Sequence, residues 1–111
     1  MALAVAQNLT IAGTTPAYAA PLASENVVAD DGLFLHVKNT NAALTLVGIT
    51  DPGLTPAGSA ALNPSISVPA TTGDKMIPLT RRFMNGTGNI VVTFSNIGAG
   101  VTAAVLKLPL P

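Results

Sequence analysis

The sequence contains no cysteine, so it offers neither a disulfide framework nor a thiolate metal site, and it leaves the redox compartment open. It also has no tryptophan, one tyrosine and three phenylalanines, so a core has to be assembled mainly from Ala, Val, Leu and Ile. Charged residues make up 9% of the 111 positions, against roughly 25% in an average soluble domain. Five basic side chains balance five acidic ones. The long-range field that draws proteins to nucleic acid or anionic lipid is therefore missing, and no nucleic-acid partner is expected. No apolar run approaches the roughly 20 residues a membrane-spanning helix requires, so no membrane partner is expected either.

Scarcity of charge has a further consequence. A free chain with balanced, sparse charge has weak electrostatic protection against self-association, which points to a surface normally covered by neighbours and to a homo-oligomer. The length suits one domain. Residues 1–25 read as an N-terminal arm and irregular segment, and residues 26–111 as a single β domain.

Ala17-Tyr18-Ala19 has the small-residue form of a signal-peptide cleavage site. The stretch before it carries no Lys or Arg, and Gln7, Asn8, Thr10, Gly13 and Pro16 interrupt its apolar run, so a secretory signal is not the reading adopted. Residue 2 is Ala, which does not fit a myristoylation signal.

What is present is β-sheet patterning. Leu33, Leu35 and Val37 alternate with Phe34, His36 and Lys38, as in a half-buried strand. Turn formers at Asp30-Asp31-Gly32 and Asn39-Thr40-Asn41 bracket it, and Leu44 to Ile49 follows, so the pair predicts a hairpin. Pro and Gly between Asp51 and Pro64 predict a long loop. Ser65 to Val68 and Lys75 to Leu79 read as short strands, and Pro78, lacking an amide hydrogen, places the second at an edge or ends it. Asn89 to Ser95 and Val101 to Leu108 are rich in β-branched residues and predict a second hairpin, with Ile90, Val92 and Phe94 on one face and Thr102, Ala104, Leu106 and Leu108 on another. Ala4 to Ala12 predicts an edge strand or extended arm, and Gly13 to Asn26 irregular coil; no cap supports a helix at Met1 to Gln7. The sum is an all-β fold, a small β-sandwich or β-barrel of six to seven short antiparallel strands with an extended N-terminal arm.

Candidate chemistry is sparse. His36 is the only histidine, and neither a zinc site nor a catalytic base is built from one imidazole alone. Asp30 and Asp31 read as turn residues, because a calcium loop needs more oxygen ligands at regular spacing. Gly86-Thr87-Gly88 lacks the remaining glycine and the helix of a nucleotide-binding loop, and reads as a turn before a strand. No enzymatic activity and no cofactor or metal are expected. Arg81, Arg82, Phe83 and Met84 crowd cationic and large apolar groups together, the residue types enriched at protein interfaces. With Val5, Leu9 and Ile11 of the apolar arm they form the candidate interface set. The structural reading of the same run has Phe83 and Met84 plugging one end of the core while the arginines pair with Asp30, Asp31 or Asp74.

In pattern and order the chain resembles small virion proteins of tailed bacteriophages. The resemblance rests on Thr15 to Ala20, Phe34-Leu35-His36-Val37-Lys38-Asn39, Val68 to Ala70, Lys75-Met76-Ile77, Arg82-Phe83-Met84-Asn85, Gly88 to Ser95 and Val101 to Pro109. It covers most of the chain, in strand cores and turns; the Ala-rich stretch Gly53 to Ala61 departs from it. It implies a capsid decoration, or cement, protein located in the virion on the capsid surface. The implied partner is the major capsid protein; apolar surface left uncovered adds the expectation of further copies of the chain, clustered as a trimer about a capsid three-fold axis. Other virion positions (head fibre base, head-tail connector, tail) and a non-viral β-sandwich that binds carbohydrate or protein remain as alternatives.

Overall fold

The computed structural model describes residues 6–109. Among the described residues eight strands form two four-stranded sheets: β1 (Gln7–Asn8), β2 (Ser24–Val28), β3 (Leu33–Asn39), β4 (Thr45–Ile49), β5 (Ser65–Val68), β6 (Gly73–Pro78), β7 (Asn89–Phe94) and β8 (Val101–Lys107). The first sheet has the order β1-β8-β3-β6 and the second β2-β7-β4-β5. This is a β-sandwich, with eight strands rather than six or seven. A short 3₁₀ turn covers Arg81–Phe83.

The pairing follows one rule. β4 pairs with β5, β3 with β6, β2 with β7 and β1 with β8. A long hairpin whose tip lies between β4 and β5, rolled so that β3 meets β8 and β4 meets β7, gives this arrangement. It is the strand order of an eight-stranded jelly roll. One departure is that β1 runs parallel to β8, while Ala19 bridges Ala103 in the antiparallel sense. The N-terminal segment thus passes the β8 edge twice, and the Gln7 side-chain amide closes the intervening loop on Ala17, donating to its carbonyl at 2.7 Å and accepting from its N–H at 2.8 Å.

Both expected hairpins are corrected by this topology. β3 and β4 lie in different sheets, as do β7 and β8. The turn residues between them do reverse the chain, but they carry it across the sandwich. Asn39 is one reason: fully buried, it donates from Nδ2 to the Ala43 carbonyl at 2.9 Å and accepts the Asn41 N–H at 2.9 Å, which turns the backbone out of the sheet plane. The irregular coil expected through Asn26 is corrected at its end, where β2 begins at Ser24. Pro78 does end an edge strand, as its missing donor requires.

The core lies between the sheets. Leu33, Leu35, Val37, Ile77, Ala103 and Val105 from the first meet Val27, Val47, Ile49, Val68, Ile90, Val92 and Phe94 from the second. Each fully buried Val, Leu or Ile contributes roughly 1.5–3 kcal/mol, and many small pieces replace the missing aromatics. On β8 the core face is Val101, Ala103 and Val105, not the face of Thr102; yet Ala104 and Leu106 are buried too. β8 is therefore covered on both sides, which explains its nearly continuous apolar run.

Candidate interaction surfaces

The connections gather at two ends. At one, the segments 29–32, 50–64 and 79–88 come together with the N-terminal loop 9–16. This is the ionic end. Arg81 Nε donates to Asp31 Oδ1 at 2.6 Å, and its Nη2 lies 3.5 Å from Asp30 Oδ1. Lys107 Nζ donates to Asp30 Oδ2 at 2.7 Å. That Lys107 bond, with the Asp31 N–H, holds the Asp30 carboxyl below its ordinary range, and the Asp31 carboxylate raises Arg81. Arg82 Nη1 reaches Asp51 Oδ2 at 2.9 Å, with its guanidinium 5.2 Å from the centre of the Phe83 ring.

Asp51 is a buried carboxylate with a second task. Its Oδ1 accepts the Gly53 N–H at 2.8 Å, while its own N–H donates to Asn63 Oδ1 at 2.8 Å, so both ends of the long loop are tied to one residue. Between them Leu54 and Ala60 form a single bridge. Leu54 and Leu62 are exposed on this loop, as are Ile11, Met84 and Leu108 nearby on the same end. An open groove of about 420 Å³ lies beside Leu108, with Leu33, Phe34, Leu79, Asp31 and Arg81 among its other lining residues.

The candidate residues are thus placed as follows. Arg81, Arg82, Phe83 and Met84 share the ionic end with Leu9, whose N–H donates to the Lys107 carbonyl at 2.9 Å, and with Ile11, which is fully exposed. Phe83 packs against the core from a half-buried position, while Met84 stays largely outside. Arg82 pairs with Asp51, a partner outside the expected trio of Asp30, Asp31 and Asp74. Val5 lies outside the described residues.

His36 sits on the outer face of the first sheet, beneath the N-terminal segment. Tyr18 and His36 Nδ1 are 2.6 Å apart, and His36 Nε2 is bonded to Asp74 Oδ1. A Tyr18 O–H donating to Nδ1, with Nε2–H donating to the carboxylate, satisfies all three groups. Lys38 Nζ lies 4.4 Å from the centre of the Tyr18 ring, a cation–π contact. Both imidazole nitrogens are therefore engaged, Nδ1 in holding the segment around Tyr18 against the sheet and Nε2 in bonding β3 to Asp74 on the neighbouring β6. Sequence reading missed this cluster because its members lie 18 and 38 residues apart.

The opposite end is built from 40–44, 69–72 and 95–100. Asparagines tie it: Asn41 Nδ2 donates to the Ala99 carbonyl at 2.7 Å and Asn96 Nδ2 to the Ala43 carbonyl at 3.2 Å, while the Thr71 N–H reaches the Asn41 carbonyl at 2.8 Å. None of these segments contains a charged residue. The outer face of the second sheet continues the theme. β2 offers Ser24, Asn26 and Val28, and β7 offers Asn89, Val91 and Thr93. β4 and β5 add Leu46, Gly48, Ser65 and Ser67. Every charged side chain of the protein is on the first sheet, at the ionic end, or, as Glu25, buried between the sheets.

Comparison with protein-family models, with curated proteins and with solved structures finds no match. The fold and these surfaces carry the functional reading.

Proposed function

We propose that the chain is a non-enzymatic structural protein of a tailed-bacteriophage virion, a decoration or cement protein that binds the outer capsid surface through its ionic end. The observation that supports this reading best is the make-up of that end. Exposed Ile11, Leu54, Leu62, Met84 and Leu108 are set among arginines and aspartates whose loops are braced by their own ion pairs. Apolar contact area presented on a pre-ordered frame lowers the ordering cost of association. It suits attachment to a large protein surface.

The jelly-roll order occurs in viral capsid domains, but also in lectins and cupins, so it agrees with the reading without selecting it. Repetition does the rest. A small protein bound at many equivalent positions, as an oligomer whose copies each touch a major capsid protein subunit, gains strength from multivalency rather than from a deep pocket. The test is co-sedimentation of the purified chain with capsids that lack it, scored by copies bound and by resistance to heat. Stoichiometric binding with a raised disruption temperature supports the cement role, and absence of binding moves the protein to another virion position or off the virion.

A further inference from the structure

The uncharged face of the second sheet stands apart from the surface assigned to the capsid. We infer that this face, with the exposed Leu44, Leu46 and Ile97 at its uncharged end, is where a second copy of the chain docks. Leu44 and Leu46 flank Thr45, whose Oγ1 donates to the Asn96 carbonyl at 2.9 Å, and the Ser95 N–H donates to the Leu46 carbonyl at 3.0 Å. The three side chains therefore project from two adjoining strand ends, 43% to 50% exposed.

Two observations choose a second copy as the occupant. The first is charge. When copies meet about a two-fold axis each residue type faces its own surface, so a patch of one sign repels itself, whereas a face without charge meets its copy without like-charge repulsion. The second is the condition of the sheet edges. β6 carries Asp74, Lys75 and Pro78; β5 is bracketed by Pro64 and Pro69; β2 points a buried carboxylate, Glu25, inward; and β1, the remaining edge, is two residues long. These are the devices that block strand-to-strand addition. Association is thereby directed from the edges to the faces. Area is not limiting: the Cα extents are 42 × 38 × 20 Å, and a slab of that shape offers a broad face well able to supply the roughly 800 Å² per partner of a standard interface.

The inference does not depend on capsid binding and is tested without capsids. Sedimentation velocity on the full chain at micromolar concentration reads its association state, with Leu46→Lys and Ile97→Lys compared at the ionic end with Leu62→Lys. The expected result is a self-associated protein whose dissociation constant rises at least about tenfold in the first two variants and stays unchanged in the third. Melting curves identify any variant that fails to fold, and for that case the wild-type dissociation constant is followed from about 0.05 M to 1 M salt, where an uncharged interface does not weaken. A wild-type monomer, an oligomer that only Leu62→Lys disrupts, or one that salt dissolves would each overturn the inference.

Discussion

The two ends of the sandwich are held by different chemistry. At the ionic end, loops of very different length are fixed by carboxylates: Asp51 ties residues 50–63, and Asp30 with Asp31 joins the β2–β3 connection to Arg81 and Lys107. At the neutral end the connections 40–44 and 95–100 are fixed to each other by Asn and Thr side chains bonded to backbone carbonyls, and 69–72 is held by the Thr71 N–H on the Asn41 carbonyl. The first solution leaves the end open to pH and salt; the second holds its connections without a titrating group, and leaves a surface that another uncharged surface can cover without stripping water from a charge.

The comparison can be broken first at the neutral end, where packing is tightest. A Cβ at Gly73 would meet the Pro69 carbonyl oxygen at 2.2 Å and Val68 Cγ1 at 2.7 Å. Gly73→Ala is therefore expected to cost about 3 kcal/mol, read as a fall in thermal midpoint of roughly 4–8 °C for each kcal/mol. Asn39→Leu comes next, at about 2 kcal/mol, because it leaves the Asn41 N–H without its partner and takes from the Ala43 carbonyl one of its two donors, Asn96 Nδ2 being the other. The Asn39→Leu loss should be the same at pH 5 and pH 8 in urea titrations, since no titrating group bonds to Asn39.

Thr71 gives an effect of opposite sign. It is a β-branched residue at φ 69°, in the left-handed region that favours glycine. Thr71→Gly is expected to raise stability by about 1 kcal/mol, measured by the same titration; a loss would mean that the side chain has a role the backbone strain hides. The smallest effect belongs to the ionic end. Asp30 has its folded pKa lowered by Lys107, so the stability it contributes is complete above the unfolded carboxylate value of about 3.9 and is lost as pH falls through the lower folded value. The melting temperatures of the wild type and Asp30→Asn should differ slightly at pH 7 and converge in acid, and salt should shrink the gap. A gap that persists in acid would assign the effect to packing.

The elements were more legible than their partners. Strict alternation exposed β3 and β7, and Pro and Gly exposed the long loop, because burying one face of a strand leaves a period of two in the sequence. β2 escaped because its inward positions are Glu25 and Val27, and a carboxylate where a core residue belongs breaks the pattern. Glu25 is buried with Oε2 accepting the Leu22 N–H at 2.8 Å, and Oε1 has no hydrogen-bond partner among the described residues. The two supposed hairpins show the deeper limit. Asn39-Thr40-Asn41 marks a reversal, but whether the chain returns in its own sheet or crosses to the other depends on bonds to Val68, Ala99 and Gly100, which are far away in sequence. At the candidate surfaces, residue type alone picked out Arg81 to Met84; the exposed leucines of the long loop had no pattern to betray them.

The capsid-docking role proposed for the ionic end is tested most directly by hydrogen exchange on the protein bound to capsids, compared with the protein alone. The account predicts that peptides covering 29–32, 50–63 and 80–88 gain protection on binding while the backbone of 40–44 and 95–100 gains none from the capsid. Bound protein whose ionic end exchanges as freely as before would contradict it.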